Sequence, residues 1–219
     1  LKTQFQSNGT ANDTDPLGHG THCAGIAAAV SNNGLGIASL IPDASFVRET
    51  SIKAMNAMGV GNQQSTIQGM IRAADMGADV ISMSLGSISS DSRQKAYEEA
   101  VKYANAKGSI VIAAAGNSNQ NAKDYSPANA KGIISVSALG PDQRKAPFSN
   151  TVKDLSYGIA APGMKILSTY PKGQYKEMDG TSMATPMVAG LVGMLKAFRP
   201  DITTQEVYNI LYETGKALP

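Results

Sequence analysis

The stretch Gly180-Thr181-Ser182-Met183-Ala184-Thr185-Pro186-Met187-Val188-Ala189-Gly190-Leu191-Val192-Gly193-Met194-Leu195-Lys196-Ala197 decides how the rest of the chain is read. From Met187 onward apolar residues recur on every face, the pattern of a buried helix. Pro186 suits the first turn of that helix, where a missing N–H needs no partner. A hydroxyl just ahead of it, with Gly180 allowing a tight backbone turn, sits where free N–H groups and the helix dipole favour developing negative charge. Ser182 is therefore a candidate nucleophile. Taken alone, Thr181 and Ser182 read better as helix caps, so the choice rests on the remaining sequence.

Composition sets the outer bounds. With 219 residues, 42% apolar and 16% charged, the chain is globular and long enough to bury one core, and a single domain over 1–219 is expected. Nineteen basic against seventeen acidic residues leave a net charge of +2 with no Lys/Arg run, which argues against a nucleic-acid partner. The one cysteine, Cys23, forms no internal disulfide and fits no metal-thiolate cluster. No run approaches the roughly 18 apolar residues of a membrane span. The start at Leu1-Lys2 shows neither an initiator Met nor a signal peptide, so the chain reads as processed or as a fragment.

In chain order, residues 1–18 are polar and turn-rich, with Asn8-Gly9 and Asp15-Pro16, and read as a surface loop. The segment from His19 to Val30 is small and apolar after its two histidines and suits a short helix packed under neighbouring backbone. His19 and His22 are the only imidazoles available for acid-base chemistry near neutral pH. His19, at the helix start, should face a cleft; His22, among small residues, should be packed and hydrogen-bonded. Beyond Ser45 the pattern alternates: a strand near Ile52–Met55, a helix over 65–76, a strand over 80–85, a helix over 92–107 and a strand over 109–115. Gly132–Ala138 gives a further strand, and Thr203-Thr204-Gln205-Glu206 forms a capping box for a last helix reaching about Glu213. Continuously apolar strands alternating with helices predict an α/β fold, a mostly parallel central sheet covered on both faces. Ligands of such sheets bind outside the carboxyl ends of the strands, where Ser84-Leu85-Gly86 and Ala115-Gly116-Asn117 lie.

Four blocks, HGTHCAG (19–25), SMSLG (82–86), AAAGN (113–117) and GTSMATPMVAG (180–190), resemble the signature segments of the subtilisin-like serine proteases, in order and over nearly the whole chain. The resemblance implies that Ser182 attacks a peptide carbonyl, that His19 is its general base, and that Asn117 donates to the oxyanion beside the Ser182 N–H. It further implies that Ser84, Leu85 and Gly86, with Gly59, Val60 and Gly61, pair with an extended polypeptide substrate, and that Ala115 and Gly116 border its side-chain pocket. Glycines 59 and 61 read equally well as turn residues. Cys23 resembles that of the thiol-containing, proteinase K-like branch and reads as a buried neighbour of the site. The loop Ser31–Ile37 resembles the family's calcium loop, with Asn33, Leu35 and Ile37 as oxygen ligands; the chemistry itself needs no cofactor. Secretion and a propeptide or protein inhibitor as partner are also implied.

The chain departs from the family at its front. The family's triad aspartate ends the first sheet strand, well ahead of the HGTH block, and no such segment is present; Asp13 and Asp15 sit in a polar loop and should not reach the imidazole. A sheet lacking its first strand is expected, with an exposed edge. The stretch Phe46–Ser51 is longer and more charged than the family's strand. Three readings follow: a serine endopeptidase whose aspartate is supplied by a separate N-terminal fragment, a catalytically impaired subtilisin-like module that binds peptides or inhibitors in an intact cleft, or a truncated chain serving only as a structural or interaction domain.

Overall fold

A computed structural model describes residues 3–6, 14–41 and 47–217. Asn8-Gly9, Asp13 and Phe46 lie outside these. Along the chain run β1 (Thr3–Gln6), α1 (His19–Ala28), β2 (Ser51–Lys53), α2 (Gln63–Asp75), β3 (Val80–Met83), β4 (Ser87–Ile88), α3 (Asp91–Ala106), β5 (Ile110–Ala114), β6 (Tyr125–Ser126) and β7 (Ile133–Leu139). They are followed by β8 (Gly158–Pro162), β9 (Ile166–Tyr170), β10 (Gln174–Met178), α4 (Thr181–Phe198) and α5 (Thr204–Thr214).

The period of two along β5 builds the two layers. Ile110 and Ile112 point to one face and pack, with Ile134 and Val136 of β7, against Val188 and Val192 of α4 and Val207 and Leu211 of α5. Val111 and Ala113 point to the other, against Met70 and Ala73 of α2 and Val101 and Ala104 of α3. A strand covered on both faces has no polar side, which is why β5 is apolar at every position and buried throughout. The central sheet is the parallel array β3-β5-β7-β8, the expected α/β architecture with helices on both faces.

Capping places the helices. Thr203 and Glu206 form the capping box that opens α5, and Asn62 with Ser65 does the same for α2. Three readings change. Residues 1–18 are not loop alone: β1 pairs in parallel with β2. Helix α4 begins at Thr181, so Pro186 stands inside it rather than in its first turn. The charged stretch before β2 adds no strand; Val47–Thr50 has no regular structure and β2 opens only at Ser51.

Sequence reading also missed the antiparallel hairpin β9–β10, although Pro171-Lys172-Gly173 between two alternating runs is a turn signal. The hairpin seats α1. Ser168 Oγ donates to the His22 carbonyl at 2.7 Å and Thr169 Oγ1 to the Thr21 carbonyl at 2.9 Å. Gly25 is required there, because a Cβ would run into both hydroxyl groups.

Among the described residues β3 is the edge of the central sheet, and β2 pairs only with β1. A groove of about 1320 Å³ is lined by both strands. Ser82, mid-strand in β3, is exposed while Ile81 and Met83 on either side are buried, the signature of an uncovered edge.

Candidate active site

His19 is the first residue of α1, and the carboxylate that organises that helix start is Asp15. Its Oδ1 accepts the Gly18 N–H at 3.0 Å, and its Oδ2 accepts the Thr21 N–H at 2.8 Å and Thr21 Oγ1 at 2.7 Å. Asp15 thus satisfies free N–H groups of the first turn, and among the described residues no carboxylate hydrogen-bonds the imidazole. Cys23 Sγ lies 4.0 Å from the His19 Nδ1. Burial pushes the His19 pKa below its ordinary value, opposed by the Asp15 charge and aided by His22, so the ring is neutral at pH 7 and able to accept a proton.

His22 is fully buried. Its Nε2–H donates to the Lys176 carbonyl at 2.8 Å, while Nδ1 has no hydrogen-bond partner. The Cys23 thiol is pushed up to about 11, chiefly by burial. It therefore stays protonated and is a poor nucleophile at neutral pH.

The serine end is more completely tied. Gly180 adopts φ 154, a conformation that favours glycine, and turns the chain into α4. Asn117, just beyond β5, accepts both the Thr181 N–H and Thr181 Oγ1 through Oδ1, each at 2.9 Å. That commits its oxygen inward and leaves Nδ2 as donor beside Gly180 and the Ser182 N–H; a Cβ built on Gly180 would lie 3.5 Å from each. The Gly116 N–H also reaches Thr181 Oγ1, at 3.2 Å. Asn150, fully buried, braces the loop from behind: Nδ2 donates to the Ala115 carbonyl at 2.8 Å, and Oδ1 accepts Ser118 N–H at 3.0 Å and Gln120 N–H at 2.9 Å. Thr181 and Asn150 were missed from sequence because their importance lies in contacts 64 and 35 residues away.

Ser182 Oγ donates to the Ser84 carbonyl at 3.4 Å, so Ser84, Ser182, Cys23 and His19 form one chain of neighbours. Ser84, Leu85, Gly86 and Gly59 line the groove with His19, whereas Val60 and Gly61 do not. Gly59, at φ 75, belongs to a turn led by Asn56, whose Oδ1 accepts Met58 N–H at 2.9 Å and Val60 N–H at 3.0 Å. Asn33, Leu35 and Ile37 lie in the loop after α1, where Asn33 Oδ1 accepts the Leu35 N–H at 3.0 Å. Among the described residues no three His, Cys, Asp or Glu cluster as metal ligands.

Comparison with known proteins gives a consistent answer. The sequence pattern of the subtilase family matches residues 2–218. Thermitase of Thermoactinomyces vulgaris is 44% identical over 191 residues, covering 84% of this chain and 64% of its own length. Subtilisin DY of Bacillus licheniformis is 37% identical over 215 residues, covering 96% and 75%. Among solved structures, a protease from Pseudoalteromonas arctica superposes with a TM-score of 0.82 at 34% identity, covering 92% of this chain and 65% of that one. Sphericase gives 0.82 at 31% identity, covering 95% and 74%. The chain spans 64% of thermitase and 44% of a thermophilic serine proteinase from Bacillus.

Proposed function

Because this chain belongs to the subtilase family, we propose that it is a serine endopeptidase acting on an extended polypeptide, with Ser182 as nucleophile, His19 as general base and Asn117 as oxyanion donor. In this reading Ser182 Oγ attacks the scissile carbonyl while His19 takes its proton, and His19 returns that proton to the leaving amine. Asn117 Nδ2 and the Ser182 N–H stabilise the oxyanion; water then resolves the acyl-enzyme. The observation that carries the reading is the double acceptance at Asn117 Oδ1, at 2.9 Å from both Thr181 donors, since it fixes the amide with its N–H groups toward the nucleophile. Preorganised donors of that kind supply the largest electrostatic share of acyl-transfer catalysis.

The carboxylate that would orient His19 belongs, in this proposal, to a separate N-terminal segment added as a strand. The free edge of β3 and the groove it shares with β2 and His19 support that placement. A propeptide or protein inhibitor would lie instead along the substrate segment Ser84-Leu85-Gly86, beside Ser182. We extend the proposal to secretion, and to calcium at the Asn33 loop in partial coordination: Asn33, Leu35 and Ile37 offer three oxygens where Ca²⁺ takes about six to eight, and no catalytic step passes through the ion. No helix among the described residues is long and apolar enough to cross a membrane.

A second reading, a peptide-binding module without turnover, is favoured by one observation: the Ser182 hydroxyl donates to Ser84 rather than to His19. Titration with a serine-directed fluorophosphonate separates the two. Stoichiometric labelling lost in Ser182→Ala, with an additional N-terminal peptide in the intact mass, supports the protease. A folded chain that does not label supports the binding module.

A further inference from the structure

An α-helix bonds each carbonyl to the N–H four residues on. For Ser182 that partner is residue 186, and Pro186 has no N–H to give. The freed carbonyl is nevertheless occupied: it accepts Ser84 Oγ at 2.8 Å and Cys23 Sγ at 3.4 Å. The two donors come from elements far apart in sequence, Ser84 from the residue after β3 and Cys23 from the second turn of α1. Ser182 answers in kind, its hydroxyl donating to the Ser84 carbonyl at 3.4 Å. The pair is a reciprocal clasp between the edge strand and the head of α4.

We infer that Ser84 is a positioning residue for Ser182, its hydroxyl holding, together with the Cys23 thiol, the carbonyl that Pro186 releases from the helix. This rests on Ser182 being the nucleophile. The carbonyl of Ser182 defines the peptide plane on the C-terminal side of that residue, and with it the direction in which the Cα–Cβ bond throws the hydroxyl. An interior helix proline removes the bond that would otherwise set this plane, and the clasp replaces it with a contact to the element that carries the groove. Because the thiol stays protonated, it is a constant donor across the neutral pH range. The arrangement gives Pro186, Ser84 and Cys23 one shared purpose, beyond the helix start, backbone contact and buried neighbour that the sequence alone suggests. A drift of a reacting atom by a fraction of an ångström weakens the transition state more than it weakens peptide binding, so the clasp acts on kcat.

The test is a double-mutant cycle on the full chain, read as the rate of fluorophosphonate labelling and as kcat and KM on a peptide. Ser84→Ala should slow labelling and kcat by about tenfold with KM nearly unchanged, and Ser84→Thr, which keeps the hydroxyl, should recover most of the loss. In a Pro186→Ala background the restored N–H competes for the Ser182 carbonyl, so adding Ser84→Ala should there cost about twofold or less. Equal losses in both backgrounds, or rescue failing in Ser84→Thr with a normal fold, overturn the inference. The ¹³C resonance of the Ser182 carbonyl provides a readout independent of turnover: it should move in Ser84→Ala, and an unmoved resonance overturns the clasp. If Ser84→Ala does not fold, Ser84→Cys, a weaker donor of similar size, is read by the same resonance. A parent that never labels, with a resonance that does move, overturns the protease reading and leaves the clasp standing.

Discussion

The two ends of the candidate site are built to different standards. At the serine end the groups that set the geometry have their partners within the chain: Asn117 Oδ1 is held by Thr181, Gly116 N–H reaches the same hydroxyl, and Asn150 braces the loop with three bonds. The strand behind it, β5, is buried at all positions. At the histidine end the imidazole has a thiol at 4.0 Å and no carboxylate partner among the described residues, and the adjoining strand β3 is a sheet edge with Ser82 exposed. The groups proposed as nucleophile and oxyanion donor are held by contacts within this chain. Among the described residues the imidazole lacks a carboxylate partner and the strand beside it is unpaired on one side, which is where the proposed N-terminal segment would add.

The largest effect expected is on that second end. Supplying an apolar strand that ends in aspartate, in trans or fused upstream, should raise kcat by about 10⁴-fold over the same strand ending in asparagine, the scale on which a triad loses rate when its carboxylate can no longer set the histidine tautomer. Steady-state hydrolysis of a peptide substrate measures it. Equal rates for the two strands would break the comparison, because the histidine would then need nothing from outside.

At the finished end, Asn117→Ala should lower kcat by about 10²–10³-fold with little change in KM, as removal of one oxyanion donor does. A change confined to KM would make Asn117 a binding residue. The same end should also be the more costly to damage structurally. Asn150→Ala strands the buried Ala115 carbonyl and unties the Ser118 and Gln120 N–H groups of the exposed loop, and should lower stability by about 1–3 kcal/mol in urea unfolding. Ser82→Ala, on the exposed edge, should stay within about 0.5 kcal/mol. Similar losses in the two variants would erase the distinction between a closed and an open side of the sheet.

That distinction also separates what the sequence made legible from what it did not. The buried strands and the helices between them announce themselves by period, and the capping box at Thr203 is local in sequence, whereas the Asn62 box that opens α2 ahead of the expected 65 went unread. The placement of His19, Asn117 and Ser182 on the ends of α1, β5 and α4 follows from the same patterns. What stayed hidden depends on contacts distant in sequence or on backbone partners: Thr181 on Asn117, Asn150 behind Ala115, and the β9–β10 hairpin under α1. Strand β1 was also missed, because its four residues, Thr3–Gln6, are too short and too polar to show a strand period. Pro186 was misplaced for an instructive reason. Proline is a reliable mark of a first helical turn only while no donor elsewhere can take the carbonyl it frees, and here Ser84 can.

The smallest expected effect concerns the one histidine the proposed chemistry leaves unused, and it sharpens the comparison from inside the open half. His22 is buried between α1 and the hairpin, donating through Nε2 to the Lys176 carbonyl, while Nδ1 makes no hydrogen bond. Burial lowers its pKa from the ordinary 6.5, against the pull of backbone carbonyls. The unfolded chain therefore takes up a proton at a higher pH than the folded one does. The resulting stability is present in full above about pH 6.5 and is lost as the pH falls below that value toward the folded-state pKa. Because the proton must enter the seam holding α1 on β9–β10, amide exchange should rise first in those elements while β5 and β7 remain protected. His22→Gln, which keeps a donor for the Lys176 carbonyl and cannot titrate, should flatten this part of the pH dependence relative to the parent. If exchange instead rises uniformly as the pH is lowered, the histidine half is no less cooperative with the core than the serine half, and the two ends melt as one.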